Sequence, residues 1–320
     1  MTIIVVPDDE PPVLTETVEE ERLRQIGEVH IYDSRALGDE ELLSRIADAN
    51  IVLNIRVTSV FSRNVMKNCP RLKLISIYGV GYDNIDMQAA SELGITITNT
   101  PGYSAVAVSE MSLSLMLAVA RRIVQNDCNI RAGGWARGYS SQLYGKTLGV
   151  IGTGNVGQRM IQLGKAVGMK VIAWTLNPSS ERAIQYGVEF VTLDKLMRDS
   201  DVVSIHVLGV PQAYNLIGKR ELMLMKPTAI LINTARGSTV NEQALVEALR
   251  NGVIAGAGLD VFADEPLPLD HPLRSIENVV LSPHTASMVP EATLAGLAMA
   301  VDNIANFLHG HTTNVVKATP

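Results

Sequence analysis

A glycine-rich segment, Gly152-Thr-Gly-Asn-Val-Gly157, is the feature that most restricts how this chain can fold. The apolar run Leu148–Ile151 before it has the composition of a β-strand, and the residues from Gln158 to Val167 are typical of a helix. Between a strand and a helix, such glycines permit a tight turn, a close approach of a pyrophosphate and close helix–strand packing. The helix N-terminus adds amide donors and a positive dipole end. The segment therefore predicts a dinucleotide site, with packing alone as the alternative.

The chain before this point begins with alternating β-branched runs and charged helical segments, a pattern that predicts a parallel sheet with helices on both faces. The predicted strands are Ile3–Val6, Val29–Tyr32, Ile51–Asn54, Leu74–Ile77 and Ile95–Thr98, and helices are expected over Glu16–Ile26, Asp39–Ala47 and Ser62–Asn68. Thr100-Pro-Gly102 breaks the alternation and marks a candidate domain boundary.

An apolar helix is predicted from about Ala105 to Asn126, and because its apolar residues are not confined to one stripe it should be buried on most sides. A second β/α series follows. Its predicted strands are Leu148–Ile151, Lys170–Trp174, Phe190–Thr192, Val202–His206, Ala229–Asn233, Gly256–Asp260 and Val279–Ser282, with a capped helix over Asn241–Asn251 and a last helix from about Pro290 to His309. The chain therefore contains two successive α/β units, each able to form its own sheet.

Composition argues against several other classes of protein. With 320 residues, 47% of them hydrophobic, the chain is long enough for two buried cores. Its net charge of −6 and the lack of a long Lys/Arg run argue against nucleic acid or a membrane surface as the main partner. Cys69 and Cys128 form neither a metal-ligand spacing nor a disulfide framework, and the N-terminus lacks the basic start of a signal peptide. We therefore expect a cytoplasmic protein without a metal.

Three polar side chains, Arg236, Glu265 and His284, each follow a predicted strand of the second series. The carboxyl ends of parallel strands meet at one edge of a sheet, where open α/β sheets bind ligands. A guanidinium suits a carboxylate, and a carboxylate bonded to an imidazole stabilises the protonated ring, which can then protonate a carbonyl oxygen. Taken singly, a surface ion pair, a solvated carboxylate and a structural histidine are the alternatives.

The strand after the glycine turn lacks an acid that often follows it. A carboxylate usually lies about 20 residues beyond the turn and binds the adenosine ribose hydroxyls, but the corresponding residue here is Thr175. Without that carboxylate, a 2′-phosphate is no longer repelled. Thr175, Asn177, Ser179 and Arg182 can donate hydrogen bonds there, so the sequence slightly favours NADP(H) over NAD(H).

The chain resembles the D-isomer-specific 2-hydroxyacid dehydrogenase family, which includes glyoxylate/hydroxypyruvate reductases and phosphoglycerate dehydrogenases. The likeness covers nearly the whole length, and the order and spacing of the motifs agree. These motifs are Gly79-Val-Gly-Tyr-Asp-Asn-Ile-Asp86, Asn99-Thr-Pro-Gly102, Gly145-Lys-Thr-Leu-Gly-Val-Ile-Gly-Thr-Gly-Asn-Val-Gly157, Met225-Lys-Pro227, Asn233-Thr-Ala-Arg-Gly237, Gly258-Leu-Asp-Val-Phe262, Asp264-Glu-Pro266 and Ser282-Pro-His284.

This resemblance implies an α/β fold of two Rossmann-like or flavodoxin-like domains with parallel sheets and an active-site cleft between them. Residues 1–100 and 288–320 would form a discontinuous substrate-binding domain, and residues 101–287 would form the dinucleotide-binding domain. The resemblance also implies a homodimer, with the Ala105–Asn126 helix in the interface.

The family's site residues carry over by motif. Arg236 would hold the substrate's carboxylate and carbonyl, His284 would be the acid–base, and Glu265 would be its partner. Asp260 would contact the nicotinamide carboxamide and His206 would border the cofactor. The full predicted cofactor set is Gly152, Gly154, Asn155, Val156, Gly157, Thr175, Asn177, His206, Thr234 and Asp260.

On the substrate side, the backbone amides of Val80 and Gly81 would share the substrate carboxylate. Arg56 would bind a second anionic group of the substrate. The alternative is that Arg56 is only an exposed charge. The implied reaction is hydride transfer between a nicotinamide cofactor and a small 2-keto or D-2-hydroxy acid, and glyoxylate, hydroxypyruvate and bulkier acids all remain open.

The chain departs from the family pattern at two places, and both concern the cofactor rather than the chemistry. The first is the acid missing at Thr175. The segment His206–Pro211 departs from the family's more usual His-x-Pro-x-Thr-Pro run, because it lacks the first proline and the threonine. The alternative function is a catalytically weak, corepressor-like protein that senses NAD(P).

Overall fold

The protein is described by a computed structural model that covers residues 1–317. It divides into two compact units: Met1–Tyr103 with the segment that begins at Val289, and Ser104–Met288. Residues 318–320 of the predicted substrate-binding domain lie outside the described residues. The functional domain boundaries expected after residues 100 and 287 stay predictions.

The first unit contains a parallel sheet of five strands in the order β2-β1-β3-β4-β5, which is the flavodoxin-like order. Its strands are β1 (Ile3–Val6), β2 (Glu28–Ile31), β3 (Ile51–Asn54), β4 (Leu74–Ile77) and β5 (Thr96–Thr98). Its helices are α1 (Val18–Ile26), α2 (Asp39–Ile46), α3 (Arg63–Lys67), α4 (Met87–Glu92) and, numbered in chain order, α12 (Pro290–Leu308).

Side chains of this sheet alternate between two buried layers, as the period of two in a strand requires. In β1, Ile4 and Val6 pack in one cluster and Val5 in the other. The layer that contains Ile4 also contains Leu297, Ala300, Val301 and Ile304 of α12. The last helix of the chain therefore covers one face of the first sheet.

The second unit contains a parallel sheet of seven strands in the order β12-β11-β10-β9-β6-β7-β8, which is the Rossmann order with one added strand. Its strands are β6 (Thr147–Ile151), β7 (Lys170–Trp174), β8 (Glu189–Phe190), β9 (Val202–Ile205), β10 (Ile230–Asn233), β11 (Gly256–Leu259) and β12 (Val279–Leu281). Its helices are α5 (Ala105–Ala120), α6 (Ile123–Arg131), α7 (Asn155–Ala166), α8 (Ser180–Tyr186), α9 (Leu193–Asp199), α10 (Lys219–Leu224) and α11 (Glu242–Arg250).

The predicted fold class, two α/β domains with parallel sheets, is confirmed. Every predicted strand is present. The ends of β1, β3, β4 and β7 are those predicted, and the ends of the other strands differ. The largest change is at Phe190–Thr192, where the strand is Glu189–Phe190 and the Thr192 side chain instead accepts a hydrogen bond from the Lys195 amide to cap α9. Threonine suits both a strand and a helix N-cap, and the start of α9 decides between them.

The single helix predicted over Ala105–Asn126 is wrong. The chain forms α5 and α6 instead, because Arg122 takes a left-handed conformation with φ 52° and ψ 40° between them. Arginine is a good helix former, so the sequence gives no warning of a break there.

Helix α5 packs on the second sheet through Leu115, Met116 and Val119. The glycines of β11 permit this packing, since a Cβ at Gly258 would lie 2.9 Å from the Leu115 Cβ and one at Gly256 3.0 Å from Val119 Cγ1. Within residues 1–317, no helix is long and apolar enough to cross a membrane.

Candidate active site

The glycine turn follows β6, and two of its glycines occupy places where no side chain fits. Gly152 has φ +91°, and a Cβ there would lie 2.7 Å from the His206 carbonyl carbon and oxygen. A Cβ at Gly157 would lie 2.0 Å from the Gly152 carbonyl oxygen. These two glycines therefore fix the turn against α7 and against the segment after β9.

Gly154 differs from its neighbours because nothing lies within 4 Å of the position its Cβ would take. It is exposed, as is Asn155, and it is the N-cap of α7 without any side chain capping the first turn. Val156 is partly buried behind them. A helix N-terminus with uncapped amides beside open space fits a phosphate group, so this turn suits the pyrophosphate of a dinucleotide.

The end of β7 lies beside this turn, and Arg182 of α8 connects the two. Its Nη1 donates to the Asn177 carbonyl at 2.9 Å, and its Nη2 donates to Thr153 Oγ1 at 2.6 Å and to the Thr153 carbonyl at 3.0 Å. Thr175 is partly buried and Asn177 is exposed. Within the described chain this guanidinium donates hydrogen bonds to neutral oxygens, and its charge has no carboxylate partner there.

His206 follows β9 and its backbone contacts the glycine turn. Its Nε2 lies 2.8 Å from Ser204 Oγ, whereas its buried Nδ1 has no hydrogen-bond partner in the described chain. Burial lowers the pKa of His206 to about 3, so the ring is neutral near pH 7. A neutral ring with one unused nitrogen fits a place beside a cofactor.

Glu265 and His284 come together, although 19 residues separate them. His284 Nδ1 lies 2.6 Å from Glu265 Oε2, and the other carboxylate oxygen accepts the Phe262 amide at 2.9 Å. His284 Nε2 forms no hydrogen bond within residues 1–317, and the two side chains are 39% and 33% exposed. Nε2 is therefore available as a hydrogen-bond donor or acceptor.

The backbone of His284 is in the left-handed region, with φ +54°. Non-glycine residues adopt this conformation rarely, and functional sites collect such strain. Asp260 holds it in place. The His284 amide donates to the Asp260 carbonyl at 2.8 Å, and the two carboxylate oxygens accept the amides of Thr285 and Ala286, each at 3.0 Å.

That Asp260 supports the His284 backbone is not predicted from the sequence. An acid at the end of one strand and Pro-His-Thr at the end of the next could have indicated it. The Asp260 side chain is fully buried in this structure. Its contact with a nicotinamide carboxamide stays a prediction.

Arg236 lies beside the Glu265 segment. A Cβ on the adjacent Gly237 would lie 1.9 Å from the Phe262 carbonyl carbon and oxygen, so the two backbones are in direct contact. Asn233, at the end of β10, fixes this turn by donating to the Arg236 carbonyl at 2.9 Å and accepting the Ala235 amide at 3.0 Å. Arg236, Glu265 and His284 are thus grouped in the second unit, as predicted from the strand ends.

The charges in this group favour an ionised Glu265. Burial acts to raise the pKa of Glu265, but the hydrogen bonds from His284 and the Phe262 amide, and the charge of Arg236, together hold it below its usual value. The carboxylate is therefore ionised at neutral pH and can stabilise a protonated imidazole. Thr234, predicted at the cofactor, is buried with Oγ1 2.8 Å from Ser112 Oγ.

Apart from Arg236, which lies in the second unit, the predicted substrate residues belong to the first unit. After β4, the loop at Gly79 is held by Thr100, whose Oγ1 accepts the Gly79 amide at 2.9 Å, and Asn99 donates to the Val80 carbonyl at 2.8 Å. Neither the Val80 nor the Gly81 amide donates to any group within residues 1–317. Two unused amides at a strand end fit a carboxylate.

Arg56, after β3, has one guanidinium nitrogen on the Pro11 carbonyl and a buried Nε without a partner in the described chain. It is partly buried rather than a fully exposed charge. The structure therefore leaves a donor on Arg56, while its role stays a prediction.

Comparison with known proteins agrees with this geometry. Residues 113–286 match the family model described as D-isomer specific 2-hydroxyacid dehydrogenase, NAD binding domain. The chain belongs to the D-isomer specific 2-hydroxyacid dehydrogenase family. It is therefore an oxidoreductase with a nicotinamide cofactor, and the predicted family is confirmed.

Individual relatives share most of the chain. It is 42% identical to a glyoxylate reductase of Aeropyrum pernix over 280 aligned residues. These residues cover 85% of this chain and 83% of the reductase. It is 39% identical to a D-3-phosphoglycerate dehydrogenase of Methanocaldococcus jannaschii, over 93% of this chain and 57% of that one. A solved acyclic imino acid reductase in complex with NADPH and D-Arg has a TM-score of 0.90 and 30% identity, over 98% of this chain and 100% of that one.

Two glycines of the turn, Gly154 and Gly157, provide a test of the cofactor site. We expect Gly154→Ala to leave the thermal unfolding temperature unchanged but to weaken cofactor binding, because the added methyl group enters only the open space. Gly157→Ala should instead lower the unfolding temperature, since its methyl group meets the Gly152 carbonyl. Calorimetry and titration of cofactor fluorescence check both. Unchanged cofactor affinity in Gly154→Ala would place the dinucleotide elsewhere.

Proposed function

We propose that the dehydrogenase reduces a small 2-keto acid, with glyoxylate as the first candidate, and that His284 supplies the proton. The observation that carries this proposal is the 2.6 Å contact between His284 Nδ1 and Glu265 Oε2, in the same unit as the glycine turn. A bound reduced nicotinamide would supply the hydride. What the protein's own side chains must do is bind the acid, hold its carbonyl and deliver one proton.

The proton step follows from the His284 ring. With Nδ1 bonded to Glu265, a protonated ring presents Nε2–H, and it can give this proton to the carbonyl oxygen as the keto carbon is reduced. In the reverse direction, the neutral ring accepts the hydroxyl proton. Glu265 stabilises the charged ring and keeps it in one orientation, which removes part of the cost of organising the reaction.

Substrate binding requires donors for a carboxylate and for the carbonyl oxygen. Arg236 offers a planar fork of donors that suits both groups. The unused amides of Val80 and Gly81 offer further donors for the carboxylate. We therefore assign the substrate to the first unit together with Arg236 of the second, and the cofactor to the second unit, with Arg56 available for a second anionic group.

The choice of substrate rests on the relatives. The glyoxylate reductase of A. pernix supports a small acid, and the phosphoglycerate dehydrogenase of M. jannaschii supports a test of a larger, doubly anionic one. Hydroxypyruvate stays in the set. The comparisons do not favour the alternative, a catalytically weak NAD(P) sensor, and turnover of any of these acids would exclude it.

The first test is of the proton donor. His284→Ala and Arg236→Ala should each lower kcat for glyoxylate reduction by about 100-fold or more, with cofactor affinity retained. In Glu265→Gln, the protonated ring loses its charged partner, so the loss of rate on raising the pH should begin at lower pH than in the wild type. Steady-state rates across a pH series check this. Near-normal turnover in either alanine variant would contradict the assignment.

We further propose a preference for NADP(H), with Arg182 as the residue that binds the 2′-phosphate. Its guanidinium lies between the glycine turn and the segment after β7, and its recorded hydrogen bonds go only to neutral oxygens. A charge without a carboxylate partner favours an anion at that place. The solved imino acid reductase contains NADPH, which supports the same choice.

Arg182→Ala should lower kcat/KM for NADPH by about 10- to 100-fold, because a hydrogen bond to a charged group is lost, and leave NADH nearly unaffected. Arg198→Ala, an exposed arginine of the same unit that pairs with Asp194, is the matched control. Equal losses with both cofactors would mean that Arg182 only stiffens the turn. A wild-type preference for NADH would overturn the proposal.

A homodimer is also proposed, and the evidence is a concentration of exposed apolar side chains after α5. They are Ile123, Val124 and Ile130 of α6, followed by Trp135, Tyr139 and Tyr144. Trp135 is 79% exposed in the single chain. Large apolar residues grouped in this way mark association surfaces, because water disfavours them.

Ile130→Glu should convert the dimer to a monomer, measured by light scattering coupled to size-exclusion chromatography. Val60→Glu is the matched control, because Val60 in the first unit is 50% exposed, as Ile130 is, and this change should leave the mass unchanged. A monomeric wild-type protein, or a dimer that persists in Ile130→Glu, would count against this surface.

A further inference from the structure

The loop from Phe262 to His271 carries Glu265 and has no helix or strand of its own. Most residues from Ala263 to Asp270 are exposed, so few buried contacts hold them. Glu265 nevertheless meets His284 at 2.6 Å. An exposed loop keeps a side chain at a fixed place only if specific contacts restrain it.

Glu242 restrains this loop at two points. It is the first residue of α11, and its Oε2 accepts the Ala263 amide at 3.2 Å while its Oε1 lies 3.0 Å from His271 Nε2. The Glu242 and His271 side chains are each 18% exposed. One carboxylate therefore holds both ends of the loop that contains Glu265.

The hydrogen bonds of His271 fix the direction of this contact. Its Nδ1 accepts the Leu273 amide at 3.3 Å, so the ring proton is on Nε2 and is donated to Glu242. Arg274 adds to the restraint, since its guanidinium donates to the carbonyls of Leu267 and Pro268 at 2.7 and 2.8 Å. The far end of the loop is thus tied to a single geometry.

The segment that positions Arg236 also leads directly into Glu242. Gly237 contacts the Phe262 backbone at the start of the loop, and five residues later Glu242 reaches Ala263 and His271. An acid in the first turn of a helix is favourable in itself. That general effect does not explain why both oxygens contact the Glu265 loop.

We propose that Glu242 is a positioning residue, which acts through Ala263 and His271 to hold Glu265 against His284. The inference rests on the proposed role of that pair, and it adds Glu242 to the residues that the reaction requires. Glu242 itself touches neither substrate nor the reacting atoms. Its loss should allow Glu265 to move away and should leave the cofactor turn intact.

The kinetic test uses Glu242→Ala, with Glu247→Ala as its control, because Glu247 is on the same helix and its side chain pairs with the exposed Lys219 and with no other charged group among residues 1–317. We expect kcat for glyoxylate reduction to fall about 10- to 100-fold in Glu242→Ala, because small displacements of reacting groups reduce rates by that much. Cofactor affinity should not change. Glu242→Gln keeps the shape and one acceptor, so its loss should be smaller.

A double-mutant cycle separates positioning from general stabilisation. If Glu242 acts through Glu265, Glu242→Ala should slow the Glu265→Gln enzyme by less than about twofold, and its pH profile should move in the same direction as that of Glu265→Gln. A full additional loss in the Glu265→Gln background, or wild-type kcat and pH profile in Glu242→Ala, would overturn the proposal. If Glu242→Ala does not fold, Glu242→Gln and His271→Ala provide the same comparison.

A second readout does not require turnover. The ring signals of His284 in histidine-labelled protein, assigned by their loss in His284→Gln, should change position in Glu242→Ala, because the contact with Glu265 is loosened, and should be unchanged in Glu247→Ala. If the wild type turned over no 2-keto acid with either cofactor, the proposed function would fail while this measurement still tested the positioning. Identical His284 ring signals in Glu242→Ala and wild type would overturn it.

Discussion

Backbone lies directly against backbone at the carboxyl edge of the second sheet, and the functional groups of that unit depend on this contact. Gly152 touches the residues after β9, Gly157 touches Gly152, and Gly237 touches Phe262, each at a distance that excludes a side chain. The segments after β6, β9, β10 and β11 are thereby held side by side. Arg236 and Glu265 approach each other because the turns that carry them are packed without intervening side chains.

Much of this arrangement could be predicted from local sequence. Buried parallel strands are short β-branched runs, so their positions were found, and the rule that strand ends share one edge grouped Arg236, Glu265 and His284 correctly. The glycine turn also lies between a strand, β6, and a helix, α7, as its flanking residues predict. Strands and tight turns depend on the conformations of neighbouring residues, and local sequence patterns indicate those conformations well.

Other features depend on contacts between distant residues and could not be predicted in this way. The break at Arg122 occurs in a residue with good helix propensity. The binding of the Thr285 and Ala286 amides by Asp260, and the hold of Glu242 on Ala263 and His271, arise only when loops from different strands are folded together. In the sequence, Glu242 is simply an acid at a helix start, which many helices have.

The first unit consists of two segments that are far apart in the sequence, and this affects how it can fold during synthesis. Ile4, Val6, Ile51 and Leu53 are buried in a layer that is completed by Leu297, Ala300, Val301 and Ile304 of α12. During translation, the N-terminal sheet emerges long before that helix, while the whole second unit, Ser104–Met288, is synthesised in between. The nascent chain must therefore keep an unfinished apolar face from aggregating until α12 has left the ribosome, and the second unit is able to fold first.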